Sequence, residues 1–436
     1  MKGAKNMKLL GTMEVRDNEL YIGGVASTEL VKNYGTPLYV IDEKLVRNTC
    51  KSYYDAFKVK EGKNRVAYAG KAFLPMEMCR IINEEGLCLD VVSGGELFTA
   101  YKAGFPLEKV FFHGNNKSHE EIKLGINLGV GTFVVDNLYE IELIDKYAKE
   151  KNVVQNIYFR ITPGIEAHTH DYIQTGQIDS KFGFTIDSEA LDFAIKTAKE
   201  KENIKLIGIH AHIGSQIFDI EPYGDLVRLM FTLAKRIRDE FDIDITDVDL
   251  GGGIGVYYTD EDEPKSAQQF CETIVNKAEE IAKELRMEVP RLVIEPGRSV
   301  IGNAGSTLYT IGAIKSVLDI RKYVSIDGGM TDNIRPALYN AAYECALANR
   351  MNDEEKEVVT VAGKCCESGD ILLKDVEINK VNSGDILVVP TTGAYGYSMS
   401  NNYNKTPKAA VVSVMDGNTK VMCRRQSYEE LIQLEN

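Results

Sequence analysis

The chain has 436 residues, 44% hydrophobic and 27% charged, the make-up of an ordinary folded protein rather than a disordered or fibrous one. Its net charge of −14 is spread along the sequence, which argues against nucleic acid as a partner, because that needs a basic surface. No run approaches the ~18 apolar residues of a membrane span, the opening MKGAKNMKLLGTMEV lacks the apolar core of a signal peptide, and eight scattered cysteines form no CxxC pair; a reduced, cytoplasmic protein away from membranes is expected.

In chain order, LLGTMEVRDNELYIGG reads first, as a hairpin. Short apolar runs then alternate with longer amphipathic ones from residue 65 to 298. Strands are predicted at RVAYAG (65–70), LCLDVVS (87–93), VFFHG (110–114), TFVVD (132–136), NIYFRITP (156–163), LIGIHAHIG (206–214), ITDVDLGG (245–252) and RLVIEPGR (291–298). The stretches between them, such as SEALDFAIKTAKE, carry helical spacing. Eight strands alternating with helices imply an α/β fold, a (β/α)8 barrel. Beyond residue 300 the texture becomes all-β: STLYTIGAIKSV, KYVSIDGG, EEKEVVTVAGKC, DILLKDVEI, DILVVPTTG and KAAVVSVMD. The expected architecture is a barrel over 35–300 and a β-domain from 301–436, completed by residues 1–34.

Chemistry in such barrels sits at the C-terminal ends of the strands. Those ends carry Lys71, Asp90 with Ser93, Gly94 and Gly95, His113, Arg160, His210 and His212 with Gly214 and Ser215, Gly251–Gly253, and Glu295 with Gly297 and Arg298. The glycine run after strand seven suits an anion cradle, although any GGG can be a tight turn. HxH on one strand could bind zinc, but it lies on strand six and EPGR supplies no lone ligand aspartate; packing would account for one of the two histidines. Glu295 and Arg298 could pair with each other or address two ends of a ligand. One cofactor accounts for the whole set. Pyridoxal phosphate needs a lysine, an anion cradle, a flat group against its ring and a partner for its pyridine nitrogen, and Lys71, Gly251–Gly253, a histidine and Glu295 supply them.

The motifs YAGKAF, VVSGGEL, HAHIGSQ, LGGGIG, EPGRS, IRPALYNA, CCESGD and GAYGYSMSNNYN, spread over residues 35–430, resemble those of the fold-type III pyridoxal-phosphate decarboxylases, and within them the diaminopimelate decarboxylases. The resemblance implies an alanine racemase-like barrel in which Lys71 carries the cofactor and His212 stacks on its ring. Ser215, Gly252, Gly253 and the Glu295–Arg298 backbone, including Gly297, would hold the phosphate, with Glu295 facing the pyridine nitrogen. It further implies that Arg298 and Arg335, assisted by Tyr339, clamp the far carboxylate of the substrate. Cys366 would donate a proton, Glu367 would take the substrate ammonium, and Tyr395 would touch cofactor and substrate. The family forms head-to-tail homodimers with shared sites. One departure stands out: the family usually has asparagine two residues after the lysine, where this chain has Phe73. HTHDYIQTGQIDSKFGF, residues 168–184, resembles a loop of the diaminopimelate branch.

The implied reaction is decarboxylation of meso-2,6-diaminopimelate to L-lysine and CO2, the last step of lysine biosynthesis. A thiol is mostly protonated at pH 7 and can donate, and at most one of two adjacent strand cysteines, Cys365 and Cys366, can face the site. Two arginines at the mouth favour a diacid, since guanidinium grips carboxylate bidentately. A decarboxylase for ornithine, arginine or carboxynorspermidine, a non-catalytic cofactor carrier and a metal hydrolase are the alternatives.

Overall fold

The structure is a computed structural model and describes residues 7–165, 180–186, 188–318 and 320–436. Of the stretch 168–184 singled out above, all but its last five residues lie outside the described residues. The chain forms two compact units, one of Thr49–Gly255 and Pro264–Ser299, the other of Met1–Asn48, Val256–Glu263 and Val300–Asn436.

The first unit is a closed parallel barrel. Its strands are β1 (Arg65–Ala69), β2 (Cys88–Val91), β3 (Val110–Phe112), β4 (Thr132–Val135), β5 (Gln155–Thr162), β6 (Ile204–His210), β7 (Asp247–Asp249) and β8 (Arg291–Ile294). Each pairs in parallel with the next, and β8 returns to β1, Val293 opposite Arg65 and Ile294 opposite Val66. All eight predicted strands form, in the predicted order. They are largely buried on both faces, which is why most of them read as apolar runs. Ala67, Cys88, Phe111, Val134, Tyr158 and Val293 fill the interior as one apolar cluster. Gly208 on β6 makes room for this filling: a Cβ there would stand 2.5 Å from the Tyr158 ring. Below it, at the start of β7 and β8, Arg291 grips Asp247 with two bonds of 2.5 and 3.0 Å.

Local signals start the barrel helices. Helix α1 (Gly94–Ala103) begins at Ser93, whose Oγ accepts from the Glu96 N–H. Helix α2 (His119–Leu128) begins with a capping box of Ser118 and Glu121, and Glu121 also accepts the Gly94 N–H at 2.7 Å. Ser93 and Gly94, read above as strand-end groups, are therefore engaged in starting and anchoring α1.

The second unit is sheet-rich. Glu14–Arg16 and Glu19–Ile22 form the expected hairpin across Asp17 and Asn18, both with positive φ, as the twist of a two-residue turn requires. Strand Leu38–Asp42 lies antiparallel to Gly305–Val317 on one side and parallel to Ala410–Met415 on the other. The sheet continues through Arg321–Ile326, Lys356–Ala362 and Ile371–Asn379, while Ile386–Val389 also pairs with Gly305–Val317. The six predicted C-terminal runs are all strands. Asn418–Cys423 is an additional edge strand whose mostly exposed residues gave no apolar pattern. Leu20, Ile22, Val40, Leu308, Val388 and Val412 share one core. Among the described residues no helix is long and apolar enough to cross a membrane.

Candidate active site

Polar side chains collect where the barrel strands end. Lys71 stands on the helical turn Gly70–Ala72 that follows β1 and is half-buried. Two glycines seat this turn closely. A Cβ on Gly70 would lie 2.9 Å from the Asp90 carbonyl, and one on Gly297 would lie 2.9 Å from the Ala69 Cβ. Phe73, the departure noted above, is 1% exposed, and its carbonyl accepts from the Tyr68 hydroxyl at 2.8 Å. An apolar ring packed in the barrel wall stands where a polar amide was the family's expected residue.

Glu295, just past β8, is the centre of a buried cluster that sequence reasoning only partly foresaw. His210 Nε2 lies 3.2 Å from Glu295 Oε2 and hydrogen-bonds to it. His113 Nε2 lies 2.7 Å from Oε1, at ion-pair distance but out of hydrogen-bond alignment, and 3.7 Å from Asp90 Oδ1. The two imidazoles meet edge to face with centroids 4.8 Å apart. Burial alone would raise Glu295, but His113 and His210 outweigh it and hold the carboxyl well below the usual range. Its neighbours move the other way. Burial and then the charge of Glu295 raise Asp249 well above normal; burial, opposed by His113, raises Asp90; and burial pushes His210 down to about 4. Ionisation is thus favoured on Glu295 and disfavoured on Asp249, Asp90 and His210, the pattern that separates roles in an acid–base site. His113, Asp90 and Asp249 had no assigned part in the expected chemistry. The available signal was positional, since each stands at the C-terminal end of a strand.

The second histidine of HAH takes a different partner. His212 Nδ1 accepts the Gly252 N–H at 3.3 Å. Burial, and then the Lys71 charge, push this imidazole well below its ordinary value, so the ring is neutral. His210 and His212 therefore face separate groups and do not converge as a zinc pair. Gly251 and Gly253 have φ of 66° and 103°, and a Cβ on Gly252 would meet the Glu295 carbonyl at 2.1 Å. The turn approaches β8 as only glycine allows. Arg298 is buried and donates to Ser215 Oγ at 3.0 Å, joining the two motifs expected to hold phosphate and carboxylate. Arg160 lies 3.9 Å from Asp136 and over the Phe182 ring at 4.2 Å. This set fits pyridoxal phosphate: a lysine, a neutral imidazole, a glycine turn and a buried carboxylate oxygen, Glu295 Oε1, that makes no hydrogen bond.

The remaining expected residues belong to the second unit. Arg335 opens the short helix Arg335–Tyr339, donates to the Tyr258 hydroxyl at 2.8 Å, and lies 6.0 Å from the Tyr395 ring centroid. Tyr339, half-buried, ends that helix. Tyr395 has a φ of 60°, uncommon for a bulky residue and a sign of a constrained turn. Cys366 and Glu367 are exposed on the turn after Lys356–Ala362, and Cys365 is half-buried beside them.

Comparison with known proteins agrees with this geometry. Residues 43–302 match the family described as pyridoxal-dependent decarboxylase, pyridoxal binding domain. The diaminopimelate decarboxylase of Bacillus subtilis is 49% identical over 416 residues, 95% of each chain, and that of Bacillus methanolicus is also 49% identical, over 95% of this chain and 96% of its own. The crystal structure of diaminopimelate decarboxylase from M. jannaschii in complex with L-lysine superposes with a TM-score of 0.91 at 38% identity, covering 98% of both chains. The chain belongs to the diaminopimelate decarboxylase family of fold-type III pyridoxal-phosphate enzymes.

Proposed function

We infer that this protein is a carboxy-lyase that converts meso-2,6-diaminopimelate to L-lysine and CO2, the last step of lysine biosynthesis, with pyridoxal phosphate as its cofactor. The observation that carries this reading is that the likeness to diaminopimelate decarboxylases runs through both units of the chain. A cofactor carrier built from the barrel alone would not need the second unit.

Bound pyridoxal phosphate supplies an electron sink for the charge left at Cα when the carboxylate departs. The chain's own residues do the rest. Lys71 would hold the cofactor through its ε-amine. Glu295, kept ionised, would face the pyridine nitrogen and hold a proton there, which a cation in its place would expel. His212, neutral, would stack on the ring. Ser215, Gly252, Gly253 and Gly297 would hold the phosphate. Arg298 and Arg335, with Tyr339, grip the distal carboxylate, and Glu367 takes the distal ammonium. Cys366 delivers a proton to Cα, and Tyr395 touches both cofactor and substrate. The protein works as a cytoplasmic homodimer in which Cys366 and Glu367 enter the neighbour's site. In this arrangement the barrel within 35–300 binds the cofactor, while 1–34 and 301–436, together with Leu38–Asp42, which lies in the sheet of the second unit, contribute to substrate binding and dimer contacts.

The test is CO2 release and lysine formation from meso-diaminopimelate, run beside ornithine and arginine, with borohydride trapping and peptide mapping of the cofactor. Release from meso-diaminopimelate alone and label on Lys71 are expected. No release from it, or label on another lysine, overturns the assignment.

A further inference from the structure

The turn that carries Cys366 is fastened at consecutive amides. Asp370 is 2% exposed; its Oδ1 accepts the Met330 N–H at 2.7 Å and its Oδ2 the Cys365 N–H at 2.9 Å. A Cβ on Gly329 or Gly363 would lie 2.5 or 2.2 Å from this carboxylate, so the group occupies a slot that only two glycines leave open. One residue further on, the Cys366 N–H donates to Asn404 Oδ1 at 2.8 Å. Asn404 sits in the left-handed region, φ 52° and ψ 27°, which asparagine tolerates better than most residues. It ends SNNYN, the part of the last motif to which the expected chemistry gave no role. The same segment is tied down by the Asn401 N–H, which donates to the Thr331 carbonyl at 3.1 Å. Asn404 is exposed, so changing it removes no core packing.

We propose that Asn404 is a positioning residue for the reaction: its side-chain oxygen fixes the amide of Cys366, and so the direction of the thiol, while Asp370 fixes the amide before it. The inference rests on Cys366 as the proton donor. The sulfur is three bonds from the anchored nitrogen, so χ1 is the principal torsion left between anchor and thiol. Releasing the anchor lets the turn wander, and a misplacement of about 1 Å can slow a step about 100-fold.

Asn404→Gly keeps the backbone conformation and deletes the acceptor; Asn404→Asp keeps an acceptor; Asn404→Ala loses both. In the full-length, cofactor-loaded protein, the glycine and alanine variants are expected to lose about tenfold in kcat on meso-diaminopimelate with KM within about twofold, and aspartate to restore most of it. A second readout needs no turnover. Alkylation of Cys366 by iodoacetamide, resolved from Cys365 by peptide mass spectrometry, is expected to change at least about threefold in the glycine and alanine variants and not in aspartate. Unchanged kcat and alkylation in Asn404→Gly overturn the proposal, as does a loss that aspartate does not rescue. Cys366→Ala separates the two levels. Full kcat in that variant overturns the proton-donor role itself, whereas its loss beside an unaffected Asn404→Gly overturns only the part given to Asn404.

Discussion

Glu96 shows how the barrel mouth weights single charges. Its Oε2 accepts the Val92 N–H at 2.7 Å, yet burial dominates and pushes the carboxyl up to about 7. An unfolded glutamate titrates near 4.3, so between that pH and about 7 the folded chain holds a proton that the unfolded chain has lost. Stability from this group therefore falls as pH rises through that window and stays low above it. Glu96→Gln keeps a carbonyl to accept from Val92 and cannot ionise. It is expected to be more stable than the parent at pH 8, by on the order of 2 kcal/mol, and nearly equal to it at pH 4.5. Urea midpoints at the two pH values check this, and a gap that does not widen with pH contradicts it. Glu96 also shows where a sequence can be misread. Ser93 and Glu96 have the spacing of a helix cap, but a strand-end position drew attention to chemistry instead. His113 is the converse. It is 182 positions from Glu295, and only closure of the barrel puts the two 2.7 Å apart.

At the level of elements, β7 and β8 divide their labour by end. Their C-terminal ends carry Asp249, Gly251–Gly253 and Glu295, while their starts carry the Arg291–Asp247 pair. Asp247 is fully buried, so removing its partner leaves an uncompensated charge. Arg291→Ala is expected to lower stability by about 3 kcal/mol while leaving kcat/KM unchanged where the protein stays folded. Chemical denaturation paired with steady-state kinetics tests both halves; a normal midpoint, or a catalytic loss without unfolding, counts against it. Most of the strands were legible because parallel, largely buried segments are rich in apolar residues. Asn418–Cys423 was not, because an exposed edge strand needs no such run. The lysine, the glycine turn and EPGR were legible as types at the right strand ends. Their pairings, His212 with Gly252 and Arg298 with Ser215, come from the closed barrel and have no signature along the chain.

For the whole molecule, the proposed homodimer with shared sites makes a quantitative claim. Lys71→Ala and Glu367→Ala proteins, each inactive, would on mixing form hybrids with one intact site. Random exchange makes half the dimers hybrid, each with half its sites whole, so roughly a quarter of parental activity is expected. No recovery after subunit exchange has been verified by mass places both residues in one subunit's site.

The placement of Leu38–Asp42 bears on how the polypeptide is made. This strand leaves the ribosome long before one of its two neighbours, Ala410–Met415, is made. The barrel unit, ending at Ser299, can close while synthesis continues; the other unit cannot finish its sheet until Ala410–Met415 has emerged. Throughout elongation an early apolar β-segment must be kept from straying, a task that falls to chaperones or to temporary contacts within the nascent chain.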